Sequence, residues 1–485
     1  MGSNDFFGQL GHSPTRKKEL FNDYLQQYGI VDGVLQGLQK LYDEPNQPED
    51  PLKFLKKHIN TQDCARKTGP CPFRPSTGTC KSELWGTLKS GSKVDLFTLK
   101  SPSGSYVRCM PWGATIVGIH VPDRSGTLKD VVLGYDTFDE YVMGRNPSFG
   151  SVPGRVANRI KHGVFTIGLE TYEVEKNNGE HHLHGGSQGF HKQLWTAQAG
   201  QGASVVFTYT SADGEGGYPG HLTARVTYTW TDDECLLMDF EACVDGKPTI
   251  VNLTNHCYFN LDGPSAKSVK DHLVCLKCSK YTPTDEGCIP TGELADVAET
   301  PFDFRAGKAI KKSIHEEFTG YDHNYVIDKG AHTAGHTLTP FALVYEPEGG
   351  ISMEVATTFP GVQFFTANGD CVKGIQGKLK SLYPAHAGFC LETQNFPDAI
   401  NKPEFPSPIL KPGERYSHRS MYKFGVQPVM TARVEGKEDV SPPQLKWMAM
   451  PASFRPPPIV VEKGPEPEVE AHKDGKGAKA GKGKK

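Results

Sequence analysis

No run of about 18 apolar residues occurs in this 485-residue chain, which leaves no candidate for a membrane-spanning helix. The opening MGSNDFFGQLGHSPTRKK is polar and lacks the apolar stretch of a secretory signal. Gly2 follows Met1, but Phe6 stands where a myristoylation site needs Ser or Thr. An excess of either charge is also missing: a net charge of -3 and a pI near 6.7 do not mark the whole chain as a nucleic-acid binder. The twelve cysteines lack the regular spacing of a disulfide framework. Cys64, Cys71 and Cys80 lack the closely spaced cysteine pair of a zinc site and read as incidental thiols. Together these absences predict a reduced, cytoplasmic protein with no membrane anchor.

A hydrophobic content of 37% with 10% aromatic residues is enough for a sizeable core, so one large domain with appendages is expected. After a flexible start over 1–16, Leu20, Phe21, Tyr24, Leu25 and Tyr28 recur at helical spacing and Gly29 supplies a stop. Val31, Val34, Leu35, Leu38 and Leu41 mark a second helix. Asp50 caps a third, with Pro51 in its first turn. Three short helices over 17–60 cannot bury their own apolar faces. The segment therefore reads either as a docking module for a scaffold helix or a second copy, or as a cap on the large domain. Residues 61–80 are rich in Pro, Gly, Ser and Thr and read as a linker.

From 81 to 426 the pattern changes to short alternating segments such as VDLFTLKS, SVVFTYTS and LTARVTYTW, divided by turns such as Asp123-Arg124-Ser125-Gly126. Long helical patterns are scarce. The expectation is a mostly β domain of antiparallel strands in two large packed sheets. Polar clusters interrupt it where a core strand would not want them. TIVNLTNHCYFNL, from Thr249 to Leu261, suits a strand entering a site and carries His256 and Tyr258. LETQNFPDA carries Glu392, and a His facing a Glu provides general acid and base chemistry.

Asn158 and Arg159 in GRVANRI offer donors for hydroxyl groups. In HHLHGG, His182 and His184 share a face if the chain is extended. Asp322 and Gln363 complete the set that a polyol requires, since each bound hydroxyl both donates and accepts. Taken singly, Arg159 equally suits a surface ion pair, His184 a loop histidine, Asp322 a turn and Gln363 a strand edge. A metal site from His181, His182 and His184 is the weakest reading, because no separated carboxylate ligand accompanies it.

Read in order, GSVPGRVANRI, LHGG, DGEGGYPG, TNH, IPTGE, GYDHN, PGVQFFT and ETQNFPDA resemble the galactose mutarotase (aldose 1-epimerase) family across essentially all of 81–426. The resemblance implies a galactose mutarotase-like antiparallel β-sandwich, the supersandwich, acting on an aldohexose such as galactose or glucose. It assigns Glu392 as base toward the anomeric hydroxyl and His256 as acid toward the ring oxygen. His184 orients the sugar, and Asn158, Arg159, Tyr258, Asp322 and Gln363 line the substrate site. No cofactor and no metal are implied.

The sequence departs from the family at His191, where Asp is common, at Cys257, where Ser or Thr is usual, and over ANGDCVKGIQGK. Leu20 to Ile59 in turn resembles the c-Myc-binding protein family through Val31-Asp32, Leu41-Tyr42-Asp43-Glu44-Pro45 and Phe54-Leu55-Lys56. That resemblance implies binding to anchoring or scaffold proteins, some of them ciliary, although the coiled coil that usually follows is missing.

Beyond 426 the chain becomes proline-rich. Trp447, Met448, Met450 and Phe454 are its apolar residues, and a lysine and glycine tail ends it. Such a basic tail reads as a solvated, disordered terminus or as a contact for an acidic surface such as a microtubule. Two functions stand side by side at this point. One is an aldose 1-epimerase carrying a docking module. The other is a structural or sugar-binding component of a larger assembly, such as a ciliary axoneme, in which the β domain is the scaffold.

Overall fold

The computed structural model describes residues 76–265, 268–329 and 338–427. The expected N-terminus 1–16, the helical module 17–60, the linker up to 75 and everything from 428 onward lie outside the described residues.

Alternation along the strands sets the layers. His221–Trp230 turns Leu222, Ala224, Val226, Tyr228 and Trp230 to one fully buried face, because successive side chains of an extended chain point to opposite sides. This strand belongs to a nine-stranded antiparallel sheet. In spatial order it runs Thr196–Ala199, Ser204–Ser211, His221–Trp230, Cys235–Asp245, Tyr416–Val426, Ile351–Thr357, Thr339–Tyr345, Leu273–Leu276 and Lys308–Ala309.

Two five-stranded antiparallel sheets cover that long sheet side by side, so the expected two-layer sandwich is present with one layer divided. The first covering sheet runs Thr79–Thr87, Lys93–Lys100, Tyr106–Met110, Thr115–Pro122 and Leu128–Asp130. Its Phe97 meets Phe207 of the long sheet edge-on at 6.0 Å. The second runs Ala295–Asp296, Lys280–Tyr281, Asp322–Val326, Gly361–Phe365 and Cys390–Gln394. There the Tyr422 hydroxyl donates to the Leu391 carbonyl, and Thr393 meets Ser420 through their hydroxyls. One apolar cluster joins the inner faces of all three sheets.

Helix is sparse, as the sequence predicts. Phe138–Met143 is the one α-helix among the described residues, and its entry is fixed by the Glu140 carboxylate accepting from the Thr137 backbone N–H and hydroxyl. The β domain also starts earlier than the expected boundary at 81. Its first strand begins at Thr79, and Ser76 and Thr77 bind the Asp232 carboxylate.

Candidate active site

The second covering sheet carries the site on its outward face. Register pairs Asn324 with Gln363 and Gln363 with Glu392; it also pairs Asp322 with Phe365 and Phe365 with Cys390. Because direction alternates residue by residue, Cys390, Glu392 and Gln394 leave their strand on the side that Asp322 and Gln363 share. Leu391 and Thr393 turn the other way, into the core. The amide of Gln363 donates to Asp322 Oδ1 at 2.7 Å, and Gln394 Nε2 reaches Gln363 Oε1 at 3.4 Å. The aspartate, the glutamine and the glutamate predicted from separate motifs are thus neighbours on one sheet.

His256 approaches that face from a segment whose expected strand is mostly absent. Only Thr249–Ile250 forms a ladder, and single bridges follow at Asn252 and Phe259. From Thr249 to Leu261 every residue is buried, so each backbone polar group needs a partner. The partners come from surrounding loops rather than from a neighbouring strand. The N–H of His256 bonds Ser151, its carbonyl takes the N–H of Gly150, and the N–H of Asn252 bonds Arg155. Loop pairing fixes His256 in place as firmly as a ladder would, and it explains why alternation was imperfect in this stretch.

The result is a close His–Glu pair. His256 Nε2 lies 3.6 Å from Glu392 Oε2, with the two residues 5% and 2% exposed. That separation is too long for a hydrogen bond, and Glu392 Oε2 has no other partner among the described residues. Burial pushes the Glu392 carboxyl well above the usual carboxylate range; the Asp322 carboxylate adds to the push and the Arg159 guanidinium opposes it. Burial also lowers His256 to about 4. Both shifts favour the uncharged partner, so the favoured pair is a neutral imidazole beside a protonated carboxyl. The ion pair with the same total of protons is the minor form.

Tyr258 stacks under His256 at 4.9 Å between ring centroids, and its hydroxyl donates to the Pro147 carbonyl. With 1% exposure it serves as a platform for the imidazole. His184 stands edge-on to His256 at 5.1 Å. The expectation that His182 and His184 share a face is overturned. His184 has a φ of 55°, a left-handed conformation that turns the chain between them. His182 is held away by the Tyr218 hydroxyl on Nε2 and the Glu175 carbonyl at Nδ1. His181 accepts the His162 N–H, well apart from the His256 pair.

Asn158 and His184 are tied to each other. The Asn158 N–H donates to His184 Nδ1 at 3.1 Å and the His184 N–H returns to the Asn158 carbonyl. Asn158 Oδ1 accepts from the Arg159 N–H, while the Arg159 Nε donates to Asn178. Because His184 Nδ1 is an acceptor, the proton of the neutral ring is on Nε2. His184, held well below the ordinary histidine range by burial and then by His256, is therefore a fixed donor.

His184, His256 and Glu392 bring their ligand atoms within 4.8 Å of one another, close enough to suggest a cation site. The tautomer argues otherwise, because a cation needs the Nε2 lone pair where His184 carries its proton. A separate cleft of about 410 Å³, lined by Trp85, His120, Asp130 and Lys378 among others, holds none of the site residues.

Residues that motif reading passed over include Cys390 and Gln394. Their signal was present, since they lie two residues either side of Glu392 on a strand. Cys390 Sγ lies 3.6 Å from His256 Nδ1. His191, the departure noted above, has a buried Nδ1 without a hydrogen-bond partner among the described residues, and burial lowers it to about 3.

A family model for aldose 1-epimerase matches residues 95–423. The chain belongs to the aldose 1-epimerase family. It is 42% identical over 346 residues to the galactose mutarotase of Sus scrofa, a match that covers 71% of this chain and 98% of that protein. It is 35% identical over 344 residues to the aldose 1-epimerase of Escherichia coli strain K12, covering 69% and 96%. The crystal structure of a GalM/aldose epimerase homologue from C. elegans superposes with a TM-score of 0.64 at 30% identity, covering 69% of this chain and 99% of that one. A second family model, for c-Myc-binding protein, matches residues 15–68. No helix among the described residues is long and apolar enough to cross a membrane.

Proposed function

We propose that this aldose 1-epimerase interconverts the α and β anomers of an aldohexose, galactose or glucose, by acid and base ring opening between Glu392 and His256. The observation that carries the assignment is the facing pair at 3.6 Å with one proton to exchange. The anomeric hydroxyl and the ring oxygen of a pyranose share a carbon, so a base and an acid serving them must be near neighbours.

The Glu392 carboxylate takes the hydroxyl proton, His256 Nε2–H gives its proton to the ring oxygen, and the carbon–oxygen ring bond breaks to the aldehyde. The carbonyl then turns about its neighbouring bond. On closure the neutral imidazole takes the proton back from the attacking hydroxyl, and the Glu392 carboxyl protonates the carbonyl oxygen. Every proton is returned, so the cycle is complete with side chains alone. His184 Nε2–H orients the sugar, and Asn158, Arg159, Asp322 and Gln363 hold its hydroxyls. The buried resting form, with the proton on Glu392, is the one that closes the ring. Opening draws on the minor ion-pair form, which Arg159 favours.

The test is the optical rotation of freshly dissolved α-D-galactose with purified full-length protein. Decay should accelerate in proportion to enzyme, and His256→Asn should remove roughly 10²–10⁴-fold of the gain. A wild-type rate equal to buffer would rule the reading out.

A second role is supported by the c-Myc-binding protein match at 15–68. Residues 17–60 dock the enzyme on a scaffold-protein helix or on a second copy, in the cytoplasm or at a ciliary axoneme, and the basic tail adds contact with an acidic surface such as a microtubule. Pull-down with and without residues 1–60 tests it; equal capture of the two forms would refute it.

A further inference from the structure

We infer that the Cys390 thiol is a positioning residue for His256, a sulfur acceptor that keeps a proton on Nδ1 and so leaves Nε2 as the nitrogen that gives and takes the catalytic proton. The inference rests on the acid and base reading above and concerns how that acid is kept in the correct tautomer.

Cys390 is fully buried and lies on the same strand face as Glu392, two residues away. Its Sγ is 3.6 Å from His256 Nδ1, within hydrogen-bond range for sulfur. Burial, reinforced by the Glu392 carboxylate, pushes the thiol well above its ordinary range, so it keeps its proton. The Sγ lone pairs accept from Nδ1–H, and that bond leaves Nε2, the nitrogen that faces Glu392, free to give and take the catalytic proton.

The other groups around the ring do not compete for Nδ1. Glu392 faces Nε2, and His184 presents its ring edge-on. Tyr258 stacks flat, with its hydroxyl occupied by the Pro147 carbonyl and near Cys371 Sγ. Asp322 and Arg159 act through charge on Glu392, and His191 is itself lowered in part by His256.

The two histidines of the site differ at this point. His184 Nδ1 receives a backbone N–H from Asn158, a donor that cannot turn round. Charging His184 would set one N–H against another. A thiol sulfur has lone pairs, so the Nδ1–H of His256 points at Sγ whether the ring is neutral or an imidazolium. His256 can hold a second proton where His184 cannot, which separates the acid from the fixed donor.

Full-length Cys390→Ser and Cys390→Ala variants test this, with kcat and KM for galactose measured from pH 5 to 9 and the His256 ring nitrogens followed by ¹⁵N NMR. Ser keeps a donor and an acceptor and should hold kcat within about threefold. Ala should lower kcat about 3–10-fold, the worth of one neutral hydrogen bond, with KM unchanged. In Ala the acidic limb should also move to lower pH, and the neutral ring should shift toward the Nε2–H tautomer. A wild-type tautomer and kcat in Ala, or a Ser variant as slow as Ala, would overturn the inference. If wild type itself shows no turnover, the function proposed above fails, and the ¹⁵N tautomer comparison still decides the role of Cys390.

Discussion

Replacing His256 by Asn should make the protein less sensitive to acid, although the same change removes the proposed acid. His256 is fully enclosed and its folded value is lowered to about 4, against an ordinary value of 6.5. The unfolded chain therefore binds a proton as pH falls through 6.5, whereas the folded chain waits until about 4. A depressed folded value of this kind contributes stability above 6.5 that is lost as pH falls toward 4.

One pKa unit corresponds to about 1.4 kcal/mol. Integrated between pH 7 and 4.5, this one group accounts for about 2 kcal/mol of lost stability. Other enclosed histidines, among them His184, His191 and His272, shift in the same direction and remain in the variant. The quantity to measure is thus a difference of differences. Urea unfolding at pH 7 and at pH 4.5 gives the acid-induced loss for each protein, and any pH-independent cost of the substitution cancels. The His256→Asn loss should be smaller by about 2 kcal/mol. Equal losses in the two proteins would show that His256 is not held neutral by burial, and the proton inventory of the pair would be wrong.

Glu392→Gln should abolish most turnover and yet raise stability at pH 8 relative to wild type. The raised carboxyl of Glu392 is a penalty that grows as pH climbs above the ordinary carboxylate value. Thermal melts at pH 5 and pH 8 check this, and a variant that melts lower than wild type only at pH 8 would contradict it. Deleting residues 1–60 should leave turnover and melting temperature unchanged while abolishing capture by a scaffold partner; a lower melting temperature with intact capture would favour a cap on the β domain. Removing Gly475 to Lys485 should spare turnover and weaken microtubule binding in a salt-dependent way. Unaltered sedimentation with microtubules at low salt would refute that contact.

Much of this architecture was legible because strand alternation is a local property. The face shared by Glu392, Gln363 and Asp322 follows from period-two direction once the three strands are in register. Register itself was not legible, and neither was the division of one layer into two sheets, since both depend on contacts far apart in sequence. His256 was found by its motif, while the form of its backbone was misread, because loops can satisfy buried N–H groups as well as a strand can. His182 was placed beside His184 on the assumption of extended backbone, and the positive φ at His184 breaks that assumption. Cys390 was overlooked because a thiol carries no obvious role until Nδ1 of His256 is seen beside it. Thr79 begins the first strand inside a stretch whose composition reads as linker, since pairing with Lys100 outweighs composition there.

The central claim is that Glu392 and His256 exchange the anomers of an aldohexose by moving one proton each. Exchange NMR on galactose at anomeric equilibrium tests it most directly, because transfer of magnetisation between the α and β anomeric protons reports interconversion with no net reaction to follow. Catalytic amounts of wild-type protein should produce transfer that scales with enzyme concentration, and Glu392→Gln, folded and unable to act as the base, should return the rate to that of buffer. Transfer that persists at the wild-type rate in Glu392→Gln would contradict the account.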